Sequence, residues 1–133
     1  MKFMLMMNAP RGASGDWSVV NWTPDEVKAH IGFMRRLNQE LRAQGSLVAA
    51  EGLATPREAR IVRAGTAGSP EVTDGPFAET KEFLAGYWIV DVETPQHAHA
   101  IAARASAAPG PGGKPLNMPI EVRQVMSRPP IEP

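Results

Sequence analysis

The segment 72–82, with the sequence V-T-D-G-P-F-A-E-T-K-E, gathers the side chains best suited to acid–base chemistry. Asp74 and Glu79 flank one aromatic residue, Phe77, and Lys81 follows. A carboxylate partly desolvated against an aromatic ring suits a general acid or base near neutral pH. The same residues also fit a polar turn, in which Asp74 caps its own backbone and Glu79 pairs with Lys81 or an arginine. The segment is therefore either the wall of a pocket or a plain turn.

A second group of candidates lies on a helix that the sequence predicts to begin at the run T-P-D-E, residues 23–26. Thr23 can cap this helix, Pro24 fits the first helical position, and Glu26 completes a capping box. Gly45 is the natural stop. At about 100° per residue, one face of the helix is apolar and carries Val27, Ile31, Met34, Leu37 and Leu41.

Two polar side chains, His30 and Asn38, share that apolar face, one helical turn on either side of Met34. Buried polar groups must find partners, because an unsatisfied one costs ~1–3 kcal/mol. His30 is therefore either a satisfied core histidine or an acid–base group. We predict that Asn38 bonds the backbone of an adjacent strand.

Two further candidates flank the helix. Trp22 follows a long glycine-rich loop predicted over residues 8–21, where it could cover an apolar ligand or, with Trp17, anchor the loop. Glu51 ends a predicted strand beside Gly52. It could point into the same region or form an inter-strand salt bridge.

The composition narrows the possible functions. The chain has 133 residues, enough for one domain, and its 14 basic and 14 acidic residues cancel. No basic block is longer than Arg35-Arg36, so the footprint of a nucleic-acid-binding protein is missing. The apolar run in M-K-F-M-L-M-M is too short for a signal sequence or a membrane span. We expect a soluble, cytoplasmic protein that binds neither nucleic acid nor membrane.

Metal and cofactor sites have few candidate residues. The chain has no cysteine, and His97 and His99 would face different sides of a helix. No phosphate loop, nucleophile elbow or dinucleotide fingerprint is present. We predict that the protein uses no metal and no cofactor.

The order of the elements predicts an α+β fold. Strands are predicted over residues 2–7, 46–51, 59–63, 71–73, 83–92 and 120–126, and a second helix begins at residues 94–95. This β-α-β, short β arm, β-α-β order is typical of a ferredoxin-like sandwich (βαββαβ), an antiparallel sheet with both helices on one face. One domain is predicted over residues 1–126, and the proline-rich residues 127–133 form an extended tail.

The two helices would leave the other face of this sheet uncovered. Met4 and Met6 make that face apolar. An apolar face of this size usually meets a partner. We therefore predict a homodimer whose subunits pack sheet to sheet.

Several motifs of this chain resemble a known family: E-G-L at residues 51–53, the run at 72–82, the strand with Gly86-Tyr87, and E-V-R at 121–123. They are similar to the DGPF branch of the YciI-related proteins, and the similarity covers nearly the whole chain. The resemblance implies a ferredoxin-like fold assembled as a dimeric α/β barrel. It also implies a pocket near the ends of the first helix and the Asp-Gly-Pro-Phe segment.

Some YciI-like relatives are described as small lyases that use a histidine–aspartate pair, and others are encoded beside sigma factors. If Gly45 and Glu51-Gly52 are aligned with these lyases, the helix histidine of the lyases falls at Met34. His30 lies one turn earlier. The pair therefore does not transfer residue by residue, although His30 could replace the histidine locally.

These observations favour a small, cofactor-free acid–base enzyme of the lyase, isomerase or cyclase type, acting on a small organic or polyketide-like substrate. The alternative is a non-catalytic module that binds a metabolite or regulates a partner such as a sigma factor. The catalytic candidates are Asp74, His30 and Glu79. The candidates for binding the small-molecule ligand are Glu51, Phe77, Lys81, Met34, Asn38 and Trp22.

Overall fold

The computed structural model describes residues 1–10, 22–66, 68–75 and 82–126. Helices and strands follow one another in the predicted α+β order. Their bounds are β1 (Lys2–Pro10), α1 (Pro24–Ala43), β2 (Leu47–Gly52), β3 (Arg60–Arg63), β4 (Glu71–Asp74), β5 (Glu82–Asp91), α2 (Pro95–Ser106) and β6 (Ile120–Gln124). No helix in these four ranges is both long and apolar enough to cross a membrane.

The main sheet has four strands in the order β2-β5-β1-β6, and every neighbouring pair is antiparallel. The strands β3 and β4 form a separate two-stranded hairpin inserted between β2 and β5. Two β-α-β units interleaved in this way make a ferredoxin-like sandwich. The fold predicted from the sequence is confirmed.

The core lies between the sheet and the two helices. Residues of β1 alternate, so Phe3, Leu5 and Met7 are buried under the helices. Leu37 and Leu41 of α1 are fully packed against them. Further buried members of this core are Trp88, Val90, Val92, Ala98, Ile101, Ala102 and Ala105.

The residues of β1 that alternate with the buried ones lie on the opposite face of the sheet. Met4 pairs with Ile89 and Met6 with Tyr87, and these four side chains are half-buried in the single chain. Partners in an antiparallel pair lie on the same side of the sheet. The described helices thus cover one face only, as predicted. The centre of the second face is apolar, and Glu51, Glu121 and Arg123 lie on the same face around it.

The ends of α1 follow the sequence signals. The Thr23 hydroxyl accepts a hydrogen bond from the Glu26 amide at 3.2 Å, and the Glu26 carboxylate accepts one from the Thr23 amide at 2.8 Å. This is the predicted capping box. Gly45 follows the helix with φ of +74°, which glycine adopts without strain.

The loop predicted over residues 8–21 begins too early. Strand β1 continues to Pro10, and Asn8 and Pro10 pair with Leu84 and Glu82 of β5. The register of the β1–β5 pair shifts between Met7 and Asn8, at the end of the apolar run of β1. Residues 11–21, with Trp17, and the tail at 127–133 lie outside the described residues.

Gly75 follows β4, in the run Asp-Gly-Pro. Glycine permits a positive φ there, but Gly75 does not adopt one, and its place before a proline favours extended backbone. Its amide donates to the carbonyl of Ala59 at 3.0 Å. A Cβ at this position would lie 3.2 Å from the Ala59 carbonyl carbon, so the close approach of two backbones favours glycine.

Candidate functional site

A cavity of about 340 Å³ opens between α1 and the strands β2 and β5. This volume is at the lower end of the range for small-molecule sites. Most of its wall is apolar and is contributed by Met7, Ile31, Met34, Ala50, Ala85 and Trp88.

A pair of glycines forms the sheet side of this cavity. Gly52 and Gly86 are cross-strand partners, and the alternation of β5 puts them on the helix-facing side, next to Met7. A Cβ at Gly52 would meet nothing within 4 Å, whereas a Cβ at Gly86 would lie 2.9 Å from the Glu51 carbonyl oxygen. Because neither residue has a side chain, the space below α1 stays open.

His30 lines the cavity and is held in one orientation by two contacts. Its Nδ1 lies 3.1 Å from the carbonyl oxygen of Pro109. A carbonyl can only accept, so Nδ1 carries the hydrogen. The Trp22 ring packs edge to face on the imidazole, with centroids 5.4 Å apart. In the neutral ring, Nε2 is then a lone-pair acceptor.

The segment that contains Pro109 is itself attached to the start of α1. The carboxylate of Glu26 accepts a hydrogen bond from the Gly112 amide in addition to that from Thr23. The Thr23 backbone bond first, and the Gly112 bond second, hold the pKa of Glu26 below its ordinary value. Residues 109–112 are therefore tied to α1 at Glu26 and at His30, one turn apart.

Asn38 has a side-chain partner rather than the predicted backbone partner. The indole nitrogen of Trp88 donates to Asn38 Oδ1 at 2.8 Å. Because an indole N–H can only donate, this bond identifies the Asn38 atom beside Trp88 as Oδ1 and the other as Nδ2. The two hydrogens of Nδ2 remain as donors on a residue that lines the cavity.

Arg35 also lines the cavity, and sequence reasoning did not single it out. It is exposed, and no ion pair to it is found among the described residues. The glycine pair and the Pro109 carbonyl were likewise missed. The sequence contains one signal that Arg35 could reach the cavity: it follows Met34 and so lies at the border of the apolar face of α1.

Glu51 borders the cavity, but its side chain belongs to the other side of the sheet. Ala50 and Gly52 pair with Trp88 and Gly86 on the helix-facing side, so the intervening Glu51 pairs with Tyr87 on the opposite one. The carbonyl of Glu51 faces Gly86 across the strand pair.

Asp74 lies at the end of β4, directly across the hairpin from Arg60. Its side chain is 96 % exposed, and Oδ1 lies 3.7 Å from Nε of Arg60. Asp74 is not among the residues that line the cavity. The other candidates from this segment, Phe77, Glu79 and Lys81, lie outside the described residues.

The structure thus brings five of the predicted residues to one place. His30, Met34, Asn38 and Glu51 border the cavity, and Trp22 packs on His30. Within the described part of the chain, no three His, Asp or Glu side chains are grouped closely enough to hold a metal ion.

A family model for the YCII-related domain matches residues 1–110. The chain belongs to this family. The match spans both helices and every residue of the cavity. Among curated proteins, no significant match is found. The finer assignment of this YCII-related chain to the DGPF branch stays a prediction.

Proposed function

We propose that this YCII-related protein is a small acid–base enzyme of the lyase, isomerase or cyclase type, working without a cofactor on a small organic molecule such as a polyketide-like ring. The observation that carries the proposal is the His30–Pro109 hydrogen bond, which leaves Nε2 as the basic atom of a residue lining an apolar cavity. Histidine is the side chain best suited to proton transfer near neutral pH.

In the proposed reaction, Nε2 of His30 removes a proton from carbon or oxygen and returns it at another position of the substrate. The Pro109 carbonyl supports the imidazolium that forms, because Nδ1–H already points at a partial negative charge. Asn38 lies eight residues further along α1, so its Nδ2 donors are suited to a polar group of the substrate away from the reacting carbon.

The second acid–base group is proposed from the segment 72–82. Sequence reasoning offers Asp74 and Glu79, with Phe77 and Lys81 as their neighbours. Asp74 is solvent-exposed beside Arg60, so the proposal rests on His30 rather than on a pair.

The alternative is a module that holds a metabolite in the same cavity without changing it, and that regulates a partner such as a sigma factor. One observation favours it: neither Asp74 nor any other aspartate lines the cavity with His30 among the described residues. Exchange of substrate protons with solvent separates the two functions, because an enzyme of this type accelerates the exchange and a binding module does not.

The test is deuterium incorporation, followed by NMR, into a panel of lactones and cyclic ketones with acidic α-protons. We expect the wild-type protein to accelerate exchange for at least one compound and His30→Gln to slow it ~10²-fold or more. His97→Gln is the matched control, since His97 lies on the exposed side of α2. No exchange above background for any compound, or equal rates for the two variants, would favour the binding module.

A further inference from the structure

We infer that the cavity accepts a carboxylate with an apolar body, and that Arg35 and Asn38 hold the carboxylate end. The inference rests on the proposed function in that it names the substrate class for the same site. It is carried by two hydrogen-bond donor groups in the cavity wall, the Arg35 guanidinium and the Asn38 carboxamide. The proton transfer by His30 does not require either of them.

The first observation is the charge balance of the wall. Arg35 brings a guanidinium to a cavity whose other described side chains are mostly apolar, and no described carboxylate neutralises it. The acidic residue among those that line the cavity, Glu51, has its side chain on the opposite face of the sheet. Arginine offers paired N–H donors in the geometry that a carboxylate accepts.

The second observation is the fixed polarity of Asn38. Because the Trp88 indole occupies Oδ1, the carboxamide presents donors rather than an acceptor to a ligand. Arg35 and Asn38 are three residues apart on α1, so their side chains are neighbours on the helix surface. Two neighbouring donor groups, one of them cationic, select an anion over a cation or a neutral acceptor.

The spacing of the donors from His30 sets the length of the ligand. The eight positions from His30 to Asn38 span ~12 Å along the helix. Met34 and the bare surface at Gly52 and Gly86 lie between them. A ligand bound at both ends therefore needs an apolar portion, such as a ring, between its carboxylate and its reacting carbon.

The experiment measures binding with three probe pairs by titration calorimetry: benzoate, phenylacetate and 3-phenylpropionate, each against its neutral amide. We expect each acid that binds to do so at least ~10-fold more tightly than its amide, because a charge-assisted pair is lost in the amide. Phenyl phosphate is included as a competing anion.

Three variants assign the contacts. Arg35→Gln should abolish the preference for acid over amide, whereas Arg36→Gln, the same change at the next residue and outside the cavity lining, should preserve it. Asn38→Asp still accepts the Trp88 hydrogen bond but replaces two donors by a negative charge. It should weaken acid binding at least ~10-fold and leave amide binding unchanged.

The inference is overturned if no acid shows saturable binding, if acid and amide bind equally, or if Arg35→Gln and Arg36→Gln behave alike. Tighter binding of phenyl phosphate than of every acid would replace the carboxylate by a phosphate ester. The two proposals have separate readouts, because acid selectivity is measured on Arg35→Gln and proton exchange on His30→Gln. Acid selectivity without His30-dependent proton exchange would therefore defeat the proposed function alone, and exchange without acid selectivity would defeat this inference alone.

Discussion

The imidazole of His30 and the carbonyl of Pro109 lie 79 positions apart in the chain and 3.1 Å apart in space. The bond joins the middle of the second turn of α1 to the segment that follows α2. It selects the ring tautomer, because the carbonyl accepts from Nδ1, and it limits rotation of the ring beside Trp22. The backbone carbonyl thus orients the imidazole, a role that a carboxylate often has beside a catalytic histidine.

The bond between Glu26 and Gly112 should stabilise this arrangement in a pH-dependent way. The pKa of Glu26 is lowered in the folded protein, so its contribution is fully present above the pKa of the unfolded chain. The contribution is lost as the pH falls through the lower, folded-state value. We expect Glu26→Gln to lower the melting temperature at neutral pH, with the difference from wild type vanishing in acid.

Thermal melts across this pH range check the Glu26 prediction, with Asp25→Asn, a neighbouring acid in the same helical turn, as control. Nitrogen-15 NMR of the His30 ring reports its tautomer. If residues 109–112 loosen, the ring should no longer favour a single tautomer. A melting difference that persists unchanged at low pH would show that the carboxylate charge of Glu26 is not what matters.

One glycine of the pair, Gly52, allows the cavity to be filled without disturbing the sheet, whereas Gly86 does not. Gly52→Ala adds a methyl group where nothing lies within 4 Å, so stability should change by less than ~1 kcal/mol. Because Gly52 lines the cavity, the methyl group should weaken ligand binding. Gly86→Ala would bring a Cβ to 2.9 Å from the Glu51 carbonyl oxygen and should cost ~1–3 kcal/mol.

Chemical denaturation and titration with the carboxylate probes measure both effects in the two glycine variants. The expected pattern is a stable protein with weak binding for Gly52→Ala and a destabilised one for Gly86→Ala. Equal loss of stability in both would mean that the space beside Gly52 is needed for packing rather than for a ligand.

Much of the fold could be predicted from the sequence because its signals are local. The Thr23–Glu26 capping box, Gly45 and the alternation of β1 each depend on a few neighbouring residues, and each was confirmed. The end of β1 was misplaced because Asn8 and Pro10 are poor strand formers that are paired with β5 all the same. Tertiary pairing overrode the local preference there.

The site was only half predictable, because its decisive contacts join distant parts of the chain. The 3.6-residue period put His30 and Asn38 on one face, and in the structure both border one cavity. Their partners, Pro109 and Trp88, are 79 and 50 positions away and have no local signature. The opposing glycines could be recognised only once the β2–β5 register was known.

Asp74→Asn separates the two roles that the sequence left open for this carboxylate. As an acid–base group, Asp74 would contribute ~10²-fold or more to turnover. As the exposed partner of Arg60, it would contribute at most ~1 kcal/mol to stability. Its 96 % exposure favours the second role, so we expect a small change in melting temperature and unchanged proton exchange.

The proton-exchange assay and a thermal melt on Asp74→Asn decide the question. Arg60→Gln removes the pair together with the hydrogen bonds that Arg60 donates to the carbonyls of Arg57 and Ala59, so it should melt lower than Asp74→Asn. If Asp74→Asn melts close to the wild type and both variants exchange at the wild-type rate, Asp74 is a surface ion-pair partner. A ~10²-fold loss of exchange in Asp74→Asn alone would instead return this residue to the catalytic site.

The half-buried apolar face of the sheet is where the predicted homodimer would form. Met4 and Met6 lie there with Tyr87 and Ile89, away from both helices. A stable interface buries ~800 Å² per subunit, and apolar side chains at its centre carry most of the binding energy.

We expect light scattering to give the mass of two chains at micromolar concentration. Met6→Glu should convert the protein to a folded monomer, because the new charge would lie at the interface beside Glu121, its cross-strand partner, rather than beside a cation. Val62→Glu on the exposed hairpin is the control and should stay dimeric. A wild-type monomer, or a Met6→Glu protein that remains dimeric and folded, would show that the sheet faces of two chains do not meet.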